Sequence, residues 1–520
     1  MSSADRKDKR EDPIAFAPKW VRDPAHNQRP DEAPAAGEFL EPSGQPGDVP
    51  RLPRSLDPVI MREPPVLAGR GLRVFFGASI IGVSIVTVIV VLLIAAGISV
   101  EWRNADAPAS GATSSGWTFA VKWPNAEQRN PPAPQRASAP AAVDPRSFPR
   151  GVTDKEVRFG ISAPFTGPAR ELGQQMKLGI ETAFKLANDA GGVHRRQLNL
   201  IAADDGYEPD RTAETMKQLY DNHQVFGIVG NVGTPTAVVA LPYALEKRML
   251  FFGAFTGANL LRRDPPDRYV FNYRASYPEE TYAVVQYLVK VKRLQANQIA
   301  VFAQQDAYGD AGFTGVARAI RALGGNDGAI LRLDYKRNTV DVDDAVARLR
   351  AHKISIKAIV MVPTYRAAAK FIEKTRDLYP AMIYTNVSFV GSTALADELM
   401  LLGPRYANGV IVTQVVPAVD GYSSLTLAYK SALANFFPGV APNYVSMEGY
   451  VAASVLIEAL KRTGPQLDTE KLVDALESIN NFDMGLGTPI NFGRTEHQGS
   501  HRVWGTQLDA NGRYQAFELQ

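Results

Sequence analysis

From residue 157 to residue 479 the chain repeats one unit: a short apolar run, a loop, then an amphipathic stretch of helical length. Apolar runs of four to eight residues between turn residues suit strands buried on both faces, and apolar residues recurring every three to four positions suit helices covering them. The runs are Val157–Ile161, Leu198–Ala202, Val225–Val229, Leu250–Gly253, Ile299–Phe302, Ala329–Tyr335, Ala358–Met361, Met382–Tyr384 and Gly409–Val416. Such alternation predicts an α/β fold of parallel sheets with helices on both faces. Four runs precede Asn272 and five follow it, which suits two doubly wound Rossmann-like lobes better than one very wide sheet.

In doubly wound folds ligands sit beyond the carboxyl ends of the strands. The loops there are Ser162-Ala-Pro-Phe-Thr-Gly-Pro168, Asn231-Val-Gly-Thr-Pro-Thr236, Ala254-Phe-Thr-Gly257, Gln304-Gln-Asp-Ala-Tyr-Gly309 and Pro363-Thr-Tyr365. They are small, hydroxyl-bearing or aromatic, and none holds a nucleophile, base and orienting group together, so no catalytic residue and no enzyme is expected. In the stretch Phe226 to Pro242 an apolar strand runs into a Gly/Thr turn and a helix starting just after Pro235. Backbone N–H groups and the hydroxyls of Thr234 and Thr236 then lie at a helix N-terminus, which suits a carboxylate, although Thr also serves there as an ordinary cap.

Other chemistry is poorly supplied. The 520 residues carry 57 basic and 54 acidic side chains, net +3, with no long basic stripe for nucleic acid. There is no cysteine, which excludes disulfides and thiolate chemistry. Asp204 and Asp205 are adjacent, so a strand would point them in different directions, and they read as hydrogen-bonding groups at a strand end. His497 and His501 have a zinc-pair spacing but sit among turn residues without a third ligand. Neither a dinucleotide fingerprint nor a Walker A string occurs, so no metal and no cofactor is expected.

The first hundred residues differ. Residues 1–73 are rich in Pro, Arg and acids without apolar periodicity and read as a disordered tail. From Val74 to Val100 there is no charge at all, and about 20 apolar helical residues cross a bilayer. The stretch is too long and too far from the N-terminus for a signal peptide. Arg51, Arg54, Arg62, Arg70 and Arg73 precede it, which puts the tail in the cytoplasm and the rest outside. Residues 101–153 are rich in Pro, Ala and Ser and read as a tether.

Several strings, in order, carry a family likeness: Ala203-Asp-Asp-Gly-Tyr-Glu-Pro209, Gly230-Asn-Val-Gly-Thr-Pro-Thr236, the Tyr308-Gly309 pair and Tyr444-Val-Ser-Met-Glu-Gly-Tyr450. Residues 155–520 thereby resemble the type I periplasmic solute-binding proteins of ABC importers, in the leucine/isoleucine/valine-binding-protein-like family. The resemblance implies two lobes joined by three crossovers, here about 154–275 with 418–485 and about 276–417 with 486–520, closing on a ligand. It implies that Thr234 binds a ligand carboxylate together with the Ala254-Phe255-Thr256 loop, and that Tyr308 and Tyr365 close from the second lobe. Ser388 stands where amino-acid-binding members place an acid for the ligand ammonium, and Leu172 where many place an aromatic. A standard branched-chain amino acid therefore fits less well than a des-amino carboxylate.

The reading that results is a membrane-anchored, periplasmic solute-binding component of an ABC importer. It takes a small carboxylate, amino acid or des-amino acid, and delivers it to an ABC permease. The alternative is a sensing receptor that signals through a cytoplasmic partner, but residues 1–73 are short for an output domain.

Overall fold

The computed structural model describes residues 148–519 and, as backbone alone, Ser99–Asn104 and Trp117–Lys122. These two segments, β1 and β2, pair antiparallel with Ser99 opposite Lys122 and Asn104 opposite Trp117, in a unit separate from the large one. Residues 74–98 of the expected span, and the tail, lie outside the described residues. Ser99, Val100 and two pieces of the expected tether instead form this ribbon. Apolar residues alternate at 100 and 102 and at 117, 119 and 121, a period-two signal within a Pro/Ala/Ser-rich stretch. No helix among the described residues is long and apolar enough to cross a membrane.

The large unit follows the predicted alternation. Its first sheet contains β3 (Glu156–Ala163), β4 (Gln197–Asp204), β5 (Gly227–Val229), β6 (Leu250–Phe252) and β7 (Val270–Phe271), all parallel, in the order β4-β3-β5-β6-β7. Between them run α1 (Arg170–Asp189), α2 (Pro209–Lys217) and α3 (Thr234–Glu246). The second sheet holds β8 (Ile299–Gln304), β9 (Leu331–Tyr335), β10 (Ala358–Val362), β11 (Ile383–Asn386), β12 (Ile411–Gln414), β13 (Trp504–Leu508) and β14 (Tyr514–Phe517). Its order is β14-β13-β12-β11-β10-β8-β9, with β8 to β12 parallel and the last two strands antiparallel. Its helices are α4 (Tyr277–Gln286), α5 (Ala307–Ala322), α6 (Asp343–Ala351), α7 (Tyr365–Arg376), α8 (Ser392–Leu402) and the short α9 (Pro404–Ala407). The chain then returns to the first lobe through α10 (Ser424–Phe436), α11 (Tyr444–Thr463) and α12 (Thr469–Glu477).

Each parallel sheet changes direction of growth at its first strand, between β3 and β5 and between β8 and β10. At these switch points the loops diverge and leave a crevice. The connections between lobes run side by side: Tyr273 donates to the Val415 carbonyl (2.6 Å), and Asn272 exchanges backbone hydrogen bonds with His497 and Gly499 (2.8 Å each). The third crossover lies later than the expected boundary at 486. Phe492 and His497 pack on Phe271, the His497 ring stacked 3.8 Å away, so this segment extends the first lobe until Gly499.

The first lobe is closed on one face by α11, whose residues Tyr444–Leu460 are all buried, crossing α1. The crossing needs small residues. A Cβ on Gly179 would stand 1.8 Å from the Ser446 carbonyl oxygen, and one on Gly449 2.5 Å from the Met176 carbonyl oxygen. Gly179→Ala gains about 1 kcal/mol of helix propensity but forces two buried backbones apart, and overpacking of this kind costs about 1–3 kcal/mol or more. We predict a lower thermal midpoint for Gly179→Ala and an unchanged one for Gly493→Ala, whose added methyl meets nothing within 4 Å. Equal midpoints for both variants would refute the close crossing.

Candidate functional site

The loops after β5 and β6 are laced together. Gly233 donates to the Phe255 carbonyl (3.2 Å) and Phe255 to the Asn231 carbonyl (2.8 Å). Gly233 has φ 103°, and a side chain there would also strike the Tyr207 ring at 2.2 Å, so glycine is required for the turn into α3. The lacing brings Thr234 and Thr256 together, both buried, with their hydroxyl oxygens 2.7 Å apart. Thr234 is the first residue of α3, two positions earlier than the sequence suggests, because Pro235 is tolerated in a first turn. Thr236, expected to present its hydroxyl to an anion, instead donates it to the carbonyls of Val232 and Gly233.

The second lobe supplies aromatic rings. Asp306 caps α5 by accepting from the Tyr308 N–H (3.0 Å), and the Tyr308 hydroxyl donates to the Pro363 carbonyl (3.2 Å). Phe389, in the loop after β11, is central: its ring lies 4.6 Å from Tyr308, 5.0 Å from Phe255, 6.2 Å from Tyr207 and 6.5 Å from Tyr277. Tyr207 and Phe255 come from the first lobe, Tyr308 and Phe389 from the second, so the cluster marks the seam between lobes. The lobes are closed on each other, with Arg337 paired to Glu208 (2.8 Å) and Gln304 donating to the Tyr207 hydroxyl (3.3 Å) across it.

Beside the rings lies a buried charge network. Arg274, at the first crossover, is 1% exposed and donates through Nη2 to Glu280 Oε1 (2.8 Å) and to Ser388 Oγ. Its guanidinium sits over the rings of Phe255 and Tyr277, 5.2 and 5.7 Å from their centroids. Glu280 also accepts from the Ser388 N–H (2.8 Å), the Ser388 hydroxyl (3.0 Å) and the Thr413 hydroxyl. On the first-lobe side, Arg274 Nη1 faces Glu448 Oε1 at 3.4 Å. Burial pushes the Glu448 carboxyl up to about 7 against the pull of Arg274. Ser388 therefore does not leave its region without an acid: Glu280 is there, held by Ser388 itself.

Of the residues singled out from sequence, Thr234, Ala254, Phe255, Thr256 and Tyr308 are brought together at the seam. Tyr365 is not part of the ring cluster. Past Leu172 and Gly391 it lines a groove of about 340 Å³ with Glu171, Arg366, Asp397, Glu398 and Asn443. Burial, with the neighbouring Glu171 and Glu398, raises the Asp397 carboxyl there. Tyr207, Tyr277, Phe389, Arg274 and Glu280 escape the sequence reading. For Arg274 and Glu280 the available signal is a charge pair on either side of the Ser276–Glu279 capping box that starts α4.

Asp204, Asp205, His497 and His501 are each engaged with neighbours within the fold. Burial would raise Asp204, but hydrogen bonds from Thr166, Phe165, Gly206 and Arg211 hold it at about 2. Asp205 is pushed up to about 6 by burial and accepts from Ser162, Thr212 and the Tyr207 N–H. His497 lies against the Val270 carbonyl (2.8 Å) and His501 pairs with Glu279 (2.6 Å). Among the described residues no cluster suits a metal ion.

The raised Glu448 carboxyl gives a pH dependence. Its folded value lies above the ordinary carboxylate value, so the native state binds the proton more tightly, and stability falls as pH rises from about 4.5 to about 7. We predict that the thermal midpoint of Glu448→Gln relative to wild type increases across that window. A difference that stays constant from pH 4 to pH 8 would refute it.

Known proteins share this fold. The family model for periplasmic binding protein matches residues 156–513. The Leu/Ile/Val-binding protein homolog 3 of Brucella melitensis is 26% identical over 335 residues, covering 64% of this chain and 86% of the relative. The crystal structure of a possible leucine/isoleucine/valine-binding protein from Rhodopirellula baltica SH 1 superposes with a TM-score of 0.67. It is 39% identical and covers 72% of this chain and 98% of its own. A branched chain amino acid ABC transporter structure from Thermus thermophilus, with bound valine, has a TM-score of 0.61, with 70% of this chain and 96% of that one covered. At 18% identity it shows the fold alone. These relatives are binding proteins, not enzymes, and the seam described above holds no catalytic set. By its match over most of the chain and its two doubly wound lobes, the chain belongs to the periplasmic binding proteins, type I, in the Leu/Ile/Val-binding-like family.

Proposed function

We propose that the chain is the membrane-anchored solute-binding component of an ABC importer and that it takes a small carboxylate-bearing metabolite between its lobes. The observation that carries this reading is the Thr234–Thr256 hydroxyl pair, buried at the seam and set at the N-terminus of α3. Two hydroxyls and a helix N-terminus suit a carboxylate. Thr234, the Ala254-Phe255-Thr256 loop, Tyr308 and Ser388 form the proposed site, and Tyr365 stands at its outer edge. The names of the relatives, Leu/Ile/Val-binding and amino acid binding, point to the amino acid class or its des-amino counterparts. The partner is an ABC permease that receives the closed form.

Work here means closure. A ligand shifts the equilibrium toward the closed state by its differential affinity for that state. Thr234 and Thr256 belong to one lobe and are available when it is open, whereas Tyr308 and Phe389 reach the ligand from the other. Losing a hydrogen bond to a charged ligand costs about 1.5–3 kcal/mol, so Thr234→Ala is expected to weaken binding about 10- to 150-fold. A fluorescence or calorimetric titration checks this, and unchanged affinity in Thr234→Ala would sink the hydroxyl site. Thr256→Ala is expected to act in the same direction.

The anchor is proposed from the uncharged stretch from Val74 up to β1 at Ser99, with residues 1–73 in the cytoplasm and the lobes in the periplasm. The full-length protein is then expected to stay with membranes after a carbonate wash. Recovery of a soluble periplasmic form beginning near residue 105 would overturn the uncleaved anchor.

A further inference from the structure

The acids at the seam are already engaged. Glu280 accepts from four donors, two on each carboxylate oxygen, which fills the four lone-pair sites a carboxylate offers. The other acids that face the seam are engaged too. Asp205 accepts from Ser162, Thr212 and Tyr207; Asp306 from Tyr308, Gln304 and Arg337; Glu208 from Arg337 and Asn338; and Glu448 faces Arg274.

Donors, by contrast, are left over. The Arg274 side chain is buried, yet its Nε and Nη1 have no hydrogen-bond partner, Nη1 meeting only Glu448 at 3.4 Å. The Tyr277 hydroxyl, also buried, lies beside the Thr256 hydroxyl without a hydrogen bond of good geometry. Arg274 reaches the seam by its packing over Phe255 and Tyr277, two of the rings that meet Phe389. Buried donors without acceptors are rare and call for a partner.

Resting on the carboxylate reading above, we propose that Arg274 is a ligand-binding, specificity-determining residue. The ligand is then a carboxylate whose second polar group is an acceptor, of the 2-oxo-acid type, with no ammonium. Thr234 and Thr256 take the carboxylate, and Arg274 with Tyr277 takes the second oxygen. An α-ammonium in that place meets a guanidinium of like charge, while Glu280 has all four lone-pair sites filled and Glu448 is already paired with Arg274. Selection is therefore by exclusion as well as by attraction. A site built from donors rejects a ligand that offers only further donors, because its own buried groups stay unpaired.

The test is a set of paired calorimetric titrations on the purified full-length chain. Each amino acid is run beside its 2-oxo counterpart: leucine with 4-methyl-2-oxopentanoate, phenylalanine with phenylpyruvate, glutamate with 2-oxoglutarate. The expected result is that at least one 2-oxo acid binds, and that every one that binds does so at least about tenfold more tightly than its amino acid. An amino acid that binds as well as or better than its partner overturns the assignment of Arg274 while leaving the carboxylate site standing. No binding by any of the six overturns the carboxylate reading and this inference with it. Arg274→Lys keeps the charge but loses the planar fork and is expected to bring paired affinities to within about threefold. Wild-type discrimination in a folded Arg274→Lys would also overturn the role of Arg274, and if that variant does not fold, the wild-type pairs decide alone.

Discussion

A guanidinium buried to 1% exposure has to be compensated, and Arg274 is compensated from both lobes at once. Glu448 on α11 belongs to the first lobe, and Glu280 on α4 belongs to the second. Two charges in an apolar interior gain little net stability over apolar residues of the same shape, but removal of one partner costs about 3–5 kcal/mol. Such a network is therefore better understood as fixing geometry than as supplying stability. It sets where the first crossover leaves the lobe, and through Ser388 and Thr413 it ties α4 to the ends of β11 and β12. Tyr273, the residue just before it, fastens the second crossover at Val415, and the third is tied at Asn272 through His497 and Gly499. The hinge is thus organised by three consecutive residues, 272–274, of which the middle one gives a hydroxyl and the last a charge.

Much of the fold is legible in the sequence because both of its periods are strong. Strands buried on both faces appear as unbroken apolar runs, and the helices between them carry their stripe on one side. What escapes has weak or no periodicity. β14, Tyr-Gln-Ala-Phe, is the edge strand and β13, Trp-Gly-Thr-Gln-Leu, lies next to it, and both carry polar residues without an apolar run. The attachment of residues up to 499 to the first lobe rests on scattered contacts, the Phe492 and His497 rings on Phe271, His497 on the Val270 carbonyl and an isolated bridge at Asn272, which leave no repeating pattern to read.

For the candidate site the division follows sequence distance. Thr234, Phe255, Thr256 and Tyr308 lie in loops that strand ends mark, so their convergence follows from the fold class alone. Arg274 and Ser388 are 114 positions apart, and Glu280 and Thr413 are 133 apart. Beyond the charge pair flanking the capping box, nothing local marks Arg274 as an arginine that will be buried. Ser388 shows the consequence: read by itself it is a position without charge, whereas in the folded chain it is the residue that holds Glu280 against Arg274.

The closed form raises the question of what a ligand adds to it. Rim contacts such as Arg337 with Glu208 are partly exposed, and pairs of that kind contribute about 0–1 kcal/mol. The rings of Phe389, Tyr308, Phe255 and Tyr207 gain roughly 0.5–1.5 kcal/mol per pair from their mutual geometry, and they do so whether or not a ligand is bound. An apolar ligand body that separates these rings replaces one set of apolar contacts with another, so its net contribution to closure is small. The groups whose state does change are the unpartnered donors, since an acceptor delivered to Arg274 and Tyr277 relieves a penalty that the closed protein otherwise carries. On the proposed reading closure is made ligand-dependent by the polar groups, and the aromatic cluster determines which shapes can be enclosed rather than whether the lobes close.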